Sequence, residues 1–400
     1  MISTKNGAES LVYRMCRESF LSVWSYMNPR KERHGKELCD VLVVCEPDVI
    51  IFSVKQIRMT NSGKPRIDAE RWRRNAVDES CKQIYGAERV LAKSATVVKN
   101  DSSLGVNLPA ASDRRTHRVA VAFGGNRQVN LPFGDFGKGF IHVMDETSFS
   151  VLMTELDTIS DFVEYLRAKK AWCQSQVAVK FDGPEENLLA TYLHGGRKFP
   201  DDYDAVVVGD GLWAELIAKP EYQRKQIANE PSYFWDRLIE NFGRDLMNGQ
   251  LEIESNPSCS ERALRQIARE DRFARRILGK DFQEFLDNSK TIRARKTKSP
   301  SGVVYVFLAL PHGTLRDLRV AELSNRCFVA RGLHPEATHV VGLATEQYEN
   351  GRGFSLDLCN LFKPTWTAED QRLMEGMQAD LGYFKSPKFT KTSEDEYPTA

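Results

Sequence analysis

The sequence predicts an α/β protein: a mixed sheet flanked by helices in the N-terminal domain, with a second α/β domain C-terminal to it. Three observations carry that class. Leu38 to Cys45 and Val49 to Lys55 are short, β-branched and apolar on successive residues, as strands covered on both faces are. Segments with apolar residues at helical spacing precede and follow them. From about residue 300, strand-like and helix-like segments alternate, which implies a second layered unit.

The elements follow in order. Residues 8–27 carry Leu11, Val12, Met15, Cys16, Phe20, Val23, Trp24 and Met27 on one wide apolar face, which predicts a helix ended by Asn28-Pro29. The two apolar runs are joined by Glu46-Pro47-Asp48, a hairpin by composition. A polar loop then leads to a helix over 69–86. Residues 100–112, rich in Asn, Asp and Ser, read as a linker before strands at 118–123 and 140–144, and an amphipathic helix follows from Asp145. The first domain is therefore expected to span 1–175. In 176–400, helices are expected at 185–194, 232–243, 260–278, 315–331 and 368–384, with strands at 303–310, 339–345 and 354–358.

Composition excludes several classes. The chain has 400 residues, of which 41% are hydrophobic and 28% charged, so it can build large cores and is neither fibrous nor disordered in composition. It contains no uncharged apolar run long enough to span a bilayer, and its first 30 residues are charged throughout, so a cytoplasmic location is expected. Eight scattered cysteines without a Cys-x-x-Cys pair support neither a zinc ribbon nor a disulfide framework. Net charge is only +1, so any affinity for nucleic acid must come from local clusters.

The hairpin places chemistry at one end. On the second strand, Ser53 and Lys55 share a face with Val49 and Ile51. Antiparallel pairing sets the start of the first strand, with Asp40, beside the end of the second. Charges at the mouth of a buried hairpin are costly unless they are paired or hold a cation. Carboxylate oxygens suit Mg²⁺ or Mn²⁺, and a lysine can orient water or stabilise charge on a phosphate.

A helix, an aspartate heading a strand, a hairpin to a strand ending x-x-Lys, and a further helix together resemble the PD-(D/E)XK superfamily of restriction-endonuclease-like nucleases. The resemblance covers residues 8–90 and extends more loosely to about 175. It implies a metal-dependent endonuclease hydrolysing phosphodiester bonds, DNA more than RNA, with Mg²⁺ (or Mn²⁺) as cofactor. Asp40 matches the strand aspartate and Lys55 the lysine. Glu9 is the first-helix match, since it lies in register with Val12, Cys16 and Phe20; Glu18 is the alternate. The second acid is replaced by Ser53, and Glu37 is the residue placed to supply it. The implied metal set is Asp40, Glu9 and Glu37. Gln83 and Tyr85 resemble a Gln and Tyr of exonuclease-like branches, with different spacing. The architecture is also similar to enzymes of defence against phages or plasmids, whose C-terminal parts sense, position or assemble, as homo-oligomers or with a protein partner.

Two basic stretches bear on that expectation. Residues 56–100 hold ten Lys and Arg against five acids, a net of +5, and Arg58, Lys64, Arg71, Arg73, Arg74 and Lys82 are the candidate phosphate contacts. Residues 261–298 hold twelve against six, a net of +6, and could extend the track or form a helix surface. The alternative to an enzyme is a catalytically inactive nucleic-acid-binding or assembly subunit, for which Ser53 is the argument; for the hairpin charges alone, the plain alternative is a salt bridge at a sheet end. Asp157 with Asp161, His334 with His339, and the "FGDFGKGF" loop read as ordinary structure.

Overall fold

Asp48–Gln56 is the strand around which the first unit is built, because its first seven residues are buried and both faces are covered. In this computed structural model, which describes residues 7–32, 35–181, 183–248, 257–291, 293–349, 351, 355–385 and 394–398, the chain divides into two compact units, Met1–Tyr222 and Gln223–Ala400.

The first unit begins with helix α1 (Gly7–Phe20), strands β1 (Ser25–Met27), β2 (Val41–Cys45) and β3 (Asp48–Gln56), and helix α2 (Pro65–Arg73). A π-helical turn (Arg74–Asp78) leads directly into α3 (Glu79–Leu91). Strands β4 (Thr96–Val98), β5 (Leu104–Asn107), β6 (Arg115–Phe123), β7 (Gly134–Asp135) and β8 (Phe140–Asp145) follow, then α4 (Glu146–Glu155) and α5 (Ile159–Cys173). The unit is completed by β9 (Ala178–Phe181), α6 (Glu185–His194), β10 (Ala205–Val208) and α7 (Leu212–Ile217), and α8 (Pro220–Ala228) carries the division.

The main sheet is mixed, in the order β1-β2-β3-β6-β8-β7. β2 runs antiparallel to β3, with Val41 opposite Phe52, while β3, β6 and β8 are parallel. The alternation along β3 sorts its side chains between two layers. Val49 and Ile51 pack with Cys81, Ile84 and Ala87 of α3. Phe52 turns to the opposite face, 5.9 Å from the ring of Phe149 on α4 and 6.4 Å from Phe162 on α5. Truncating so buried a ring costs about 3–5 kcal/mol.

Four boundaries differ from the sequence expectation, each for a local reason. α1 stops at Phe20, where Leu21 adopts φ +70°; Trp24 stays fully buried, but residues 25–27 form an edge strand on β2, and the Ser25 hydroxyl donates to the Cys16 carbonyl at 3.1 Å. The Asn/Asp/Ser segment is the turn of the β4–β5 hairpin, with Asp101 Oδ1 accepting from the Ser103 N–H at 2.9 Å. The helix after β8 is two helices, because Thr158 caps α5 by accepting from the Asp161 N–H at 3.1 Å. Finally, the first unit runs past 175 to 222: the buried Lys169 ammonium of α5 lies 2.6 Å from Glu185 of α6, and Trp172 stacks on Phe199 at 4.6 Å.

The second unit contains α9 (Tyr233–Met247), α10 (Pro257–Ala268), α11 (Arg272–Asp287), β11 (Ala294–Lys298), β12 (Val304–Leu310), α12 (Arg316–Leu333), β13 (His339–Glu346), β14 (Leu356–Phe362) and α13 (Ala368–Leu381). Its sheet runs β11-β12-β13-β14, with only the β12–β13 pair parallel. All seven residues of β12 are buried. Among the described residues, no helix of either unit is long and apolar enough to cross a membrane.

Candidate active site

Asp40 stands just before β2 and across from the end of β3. Its carboxylate is 2% exposed, and Oδ2 accepts the Val54 N–H at 2.5 Å. Its other oxygen accepts from the Gln83 side-chain amide of α3 at 2.9 Å, and the Gln83 carbonyl oxygen accepts from the Ser53 hydroxyl, also at 2.9 Å. Ser53, Gln83 and Asp40 thus form one chain of hydrogen bonds between strand and helix. Every buried member is partnered, so the carboxylate is held in one orientation.

Lys55 lies two residues further along β3 and is half-buried. Among the described residues, no carboxylate comes within ion-pair distance of it. The hairpin-end salt bridge between Lys55 and Asp40 is therefore absent: the aspartate is satisfied by neutral donors, and the ammonium remains unpaired.

Glu37, three residues ahead of Asp40, reports on the surrounding charges. Its carboxyl is raised from an ordinary 4.5 to about 7, first by partial burial, then by sharing a hydrogen bond with Asp40, and then by the charges of Asp40 and Glu9; Lys55 opposes the shift. Glu9, in the first turn of α1, is thereby drawn near the same point, where the helix N-terminus also favours a negative charge. Glu18 is exposed, on another face of α1. Glu37 thus lies within electrostatic range of Glu9, Asp40 and Lys55, and Ser53 joins Asp40 through Gln83.

The donor chemistry fits a hard divalent cation. The charges of Asp40 and Glu9 raise the Glu37 carboxyl, a burden that a dication would relieve. Their side chains are not drawn together as ligands, however: among the described residues, no three His, Cys, Asp or Glu side chains are arranged to hold a metal ion.

The chain after Lys55 carries a run of exposed cations. Arg58 follows β3, Lys64 precedes α2, Arg71 and Arg73 close α2, and Arg74 opens the π-helical turn; all are exposed. Arg58, Lys64, Arg71, Arg73 and Arg74 make no ion pair among the described residues. Lys82 is tied to Glu79 at 2.7 Å. The loop that carries Lys64 is anchored by Asp68, which accepts from Thr60 Oγ1 at 2.8 Å and from the Ser62 N–H at 2.8 Å; these bonds hold its carboxyl below the usual range.

The second basic stretch is built differently. Arg272 and Arg275 are buried against Asp236, and Arg295 bridges Asp281 and Glu284. These arginines act as internal braces. Of the remaining candidates, Tyr85 donates to the Gly139 carbonyl at 2.6 Å, away from Asp40. Asp135 of the glycine-rich loop accepts from the Gly137 and Gly139 N–H groups, as a tight turn requires. Asp161 pairs with Arg197, and His339 stacks on Phe362.

Gln83 is the member of the site that the sequence marks most faintly. It lies on the stripe of α3 and the preceding turn formed by Ala76, Ser80 and Ala87, all buried, where a long amide needs a partner. Compared with known proteins, the chain matches no family model, no curated protein and no solved structure.

Proposed function

We propose that the first unit is a restriction-endonuclease-like, metal-dependent nuclease acting on DNA in preference to RNA, and that the second unit positions or assembles it. The observation that carries this reading is Glu37, whose carboxyl feels the charges of Asp40, Glu9 and Lys55 together at the end of β3. A perturbed carboxyl beside a cation is typical of working sites. The exposed cations that follow Lys55 in the chain, Arg58, Lys64, Arg71, Arg73 and Arg74, would supply the sequence-independent grip on a phosphate backbone.

Asp40, Glu37 and Glu9 would hold Mg²⁺ or Mn²⁺. Such an ion, when bound, supplies an acidified water and positive charge at the phosphate. The chain's own groups do the rest. Gln83 and the Val54 N–H keep Asp40 in place. Glu37 gives up its proton as the site fills. Lys55 orients the attacking water and stabilises the negative charge that builds on the phosphoryl oxygens.

A second reading, a nucleic-acid-binding subunit that has lost hydrolysis, is favoured by Ser53 at the position of an acid and by the unconverged carboxylates. Incubating plasmid DNA and a defined RNA with the full chain, in Mg²⁺, in Mn²⁺ and in EDTA, separates the two. Cleavage that needs metal and disappears in Asp40→Ala and Lys55→Ala supports the nuclease. Retained binding without cleavage in every condition supports the subunit.

A further inference from the structure

A cavity of about 610 Å³ opens in the first unit between the carboxyl end of β8, α4, and the α6 and α7 helices. Its size is that of a small-molecule site. The nuclease reading uses none of its residues. Asp145 aligns with Ala122 of β6, which aligns with Lys55 of β3. The cavity mouth and the lysine are therefore two strand spacings apart, about 10 Å, at the same end of the sheet. We infer that this cavity takes up one base of the nucleic-acid strand being cut, unstacked from its neighbours, and prefers bases that carry an exocyclic amine.

The walls support a flat ring. Phe133 and Phe181 lie with centroids 5.9 Å apart and planes inclined at 47°, and Trp213 stands on the α7 side. The buried Lys169 ammonium sits 3.8 Å from the Phe133 centroid and fixes that ring from one face. Aromatic faces of this kind bind bases by stacking without regard to sequence.

The polar lining supplies the preference. Asp145, Glu186 and Asp210 present carboxylates, which only accept hydrogen bonds. Glu186 takes Arg127 Nη2 at 2.5 Å and Ser148 Oγ at 2.6 Å, Asp145 takes the Ser148 N–H at 2.7 Å, and Asp210 takes the Asn187 amide at 3.3 Å. Each keeps lone pairs beyond these donors. Such a lining accepts from the exocyclic amines of cytosine, adenine or guanine, a donor that thymine lacks. The site is also preorganised: Asn187 is 2% exposed and accepts from the Trp213 N–H at 3.1 Å, locking the segment that carries Asp210 and Trp213. Arg127, half exposed, is paired with Glu186 and Asp145 and so holds these two acids of the lining in place.

The role inferred rests on the nuclease reading, but the binding can be measured apart from it. The test titrates the full chain, in EDTA, with the deoxynucleoside 5′-monophosphates of cytosine, adenine, guanine and thymine by calorimetry. The three amine-bearing nucleotides should bind about tenfold more tightly than the thymine one. Asp210→Ala, at an exposed position, should narrow that gap with an unchanged melting temperature, and Phe181→Leu should weaken all four. The inference is overturned by no binding at millimolar concentrations, by equal affinity for all four, or by a preference that survives Asp210→Ala. A chain that binds but never cleaves keeps the pocket and loses the nuclease. One that cleaves without binding any mononucleotide loses the pocket alone.

Discussion

Residues 56–100 and 261–298 carry similar excess charge, +5 and +6, and fold into opposite circumstances. In the first, Arg58, Lys64, Arg73 and Arg74 stand exposed without ion pairs among the described residues. In the second, Arg275 is 1% exposed, donating to Asp236 and to the carbonyls of Ala268 and Glu270, and Arg276 reaches the carbonyls of Asp395 and Glu396. A basic run therefore becomes a binding surface or an internal brace according to where its partners lie. The acids that neutralise Arg275 and Arg276 are tens to more than a hundred residues distant, so no local charge count can find them.

The contrast can be broken at its strongest point first. Arg275→Ala leaves Asp236 with only Arg272 and should cost about 3–5 kcal/mol in urea unfolding. Arg73→Ala, from the other stretch, should leave the unfolding curve unchanged; equal losses in both would erase the distinction. Next in size, Lys55→Ala should lower cleavage by about 10²–10³-fold with little change in DNA affinity, as expected of a group that acts on transition-state charge. A tight-binding defect would instead assign Lys55 to the run of exposed cations. Smaller still, each of Arg58→Ala, Arg73→Ala and Arg74→Ala should reduce the slope of log affinity against log salt by about 1. Arg295→Ala should leave that slope where it is.

The smallest effect is a matter of protons. Glu37 titrates near 7 in the folded chain and near 4.5 when unfolded, so the folded form holds the extra proton between those values. Its contribution to stability is complete below 4.5 and is lost as pH rises through about 7. Melting temperature measured from pH 5 to 8 should fall more in the wild type than in Glu37→Gln, and Mg²⁺ affinity should rise over the same interval. Parallel pH profiles for the two proteins would remove Glu37 from the charged cluster.

How much was legible follows from the range of each interaction. The β2–β3 hairpin and the placement of Asp40 beside Ser53 could be read because β-branched runs, a proline-containing turn and strand alternation are local signals. The helices at 185–194, 316–333 and 368–381 were legible for the same reason. The short strands β1, β9 and β10 were not, since three or four residues carry too little periodicity and depend on a partner strand. Glu37 was a candidate by proximity in sequence, yet its perturbation comes first from burial and then from Asp40, with a smaller part from Glu9, and the burial and Glu9 are supplied only by folding. The cavity was invisible for the same cause: Arg127, Asp145, Glu186 and Asp210 are spread over more than eighty residues and form no motif.

The π-helical turn between α2 and α3 bears on how this chain should be compared with others. One wider turn offsets the residues after it from the lattice set by those before it. A single helical wheel drawn through 65–91 therefore assigns the wrong azimuth to either the arginines or Gln83. Any pairwise superposition that treats the segment as one uniform rod will place a neighbour's side chain where this amide belongs, and the gap that corrects it belongs inside the helix instead of in a loop.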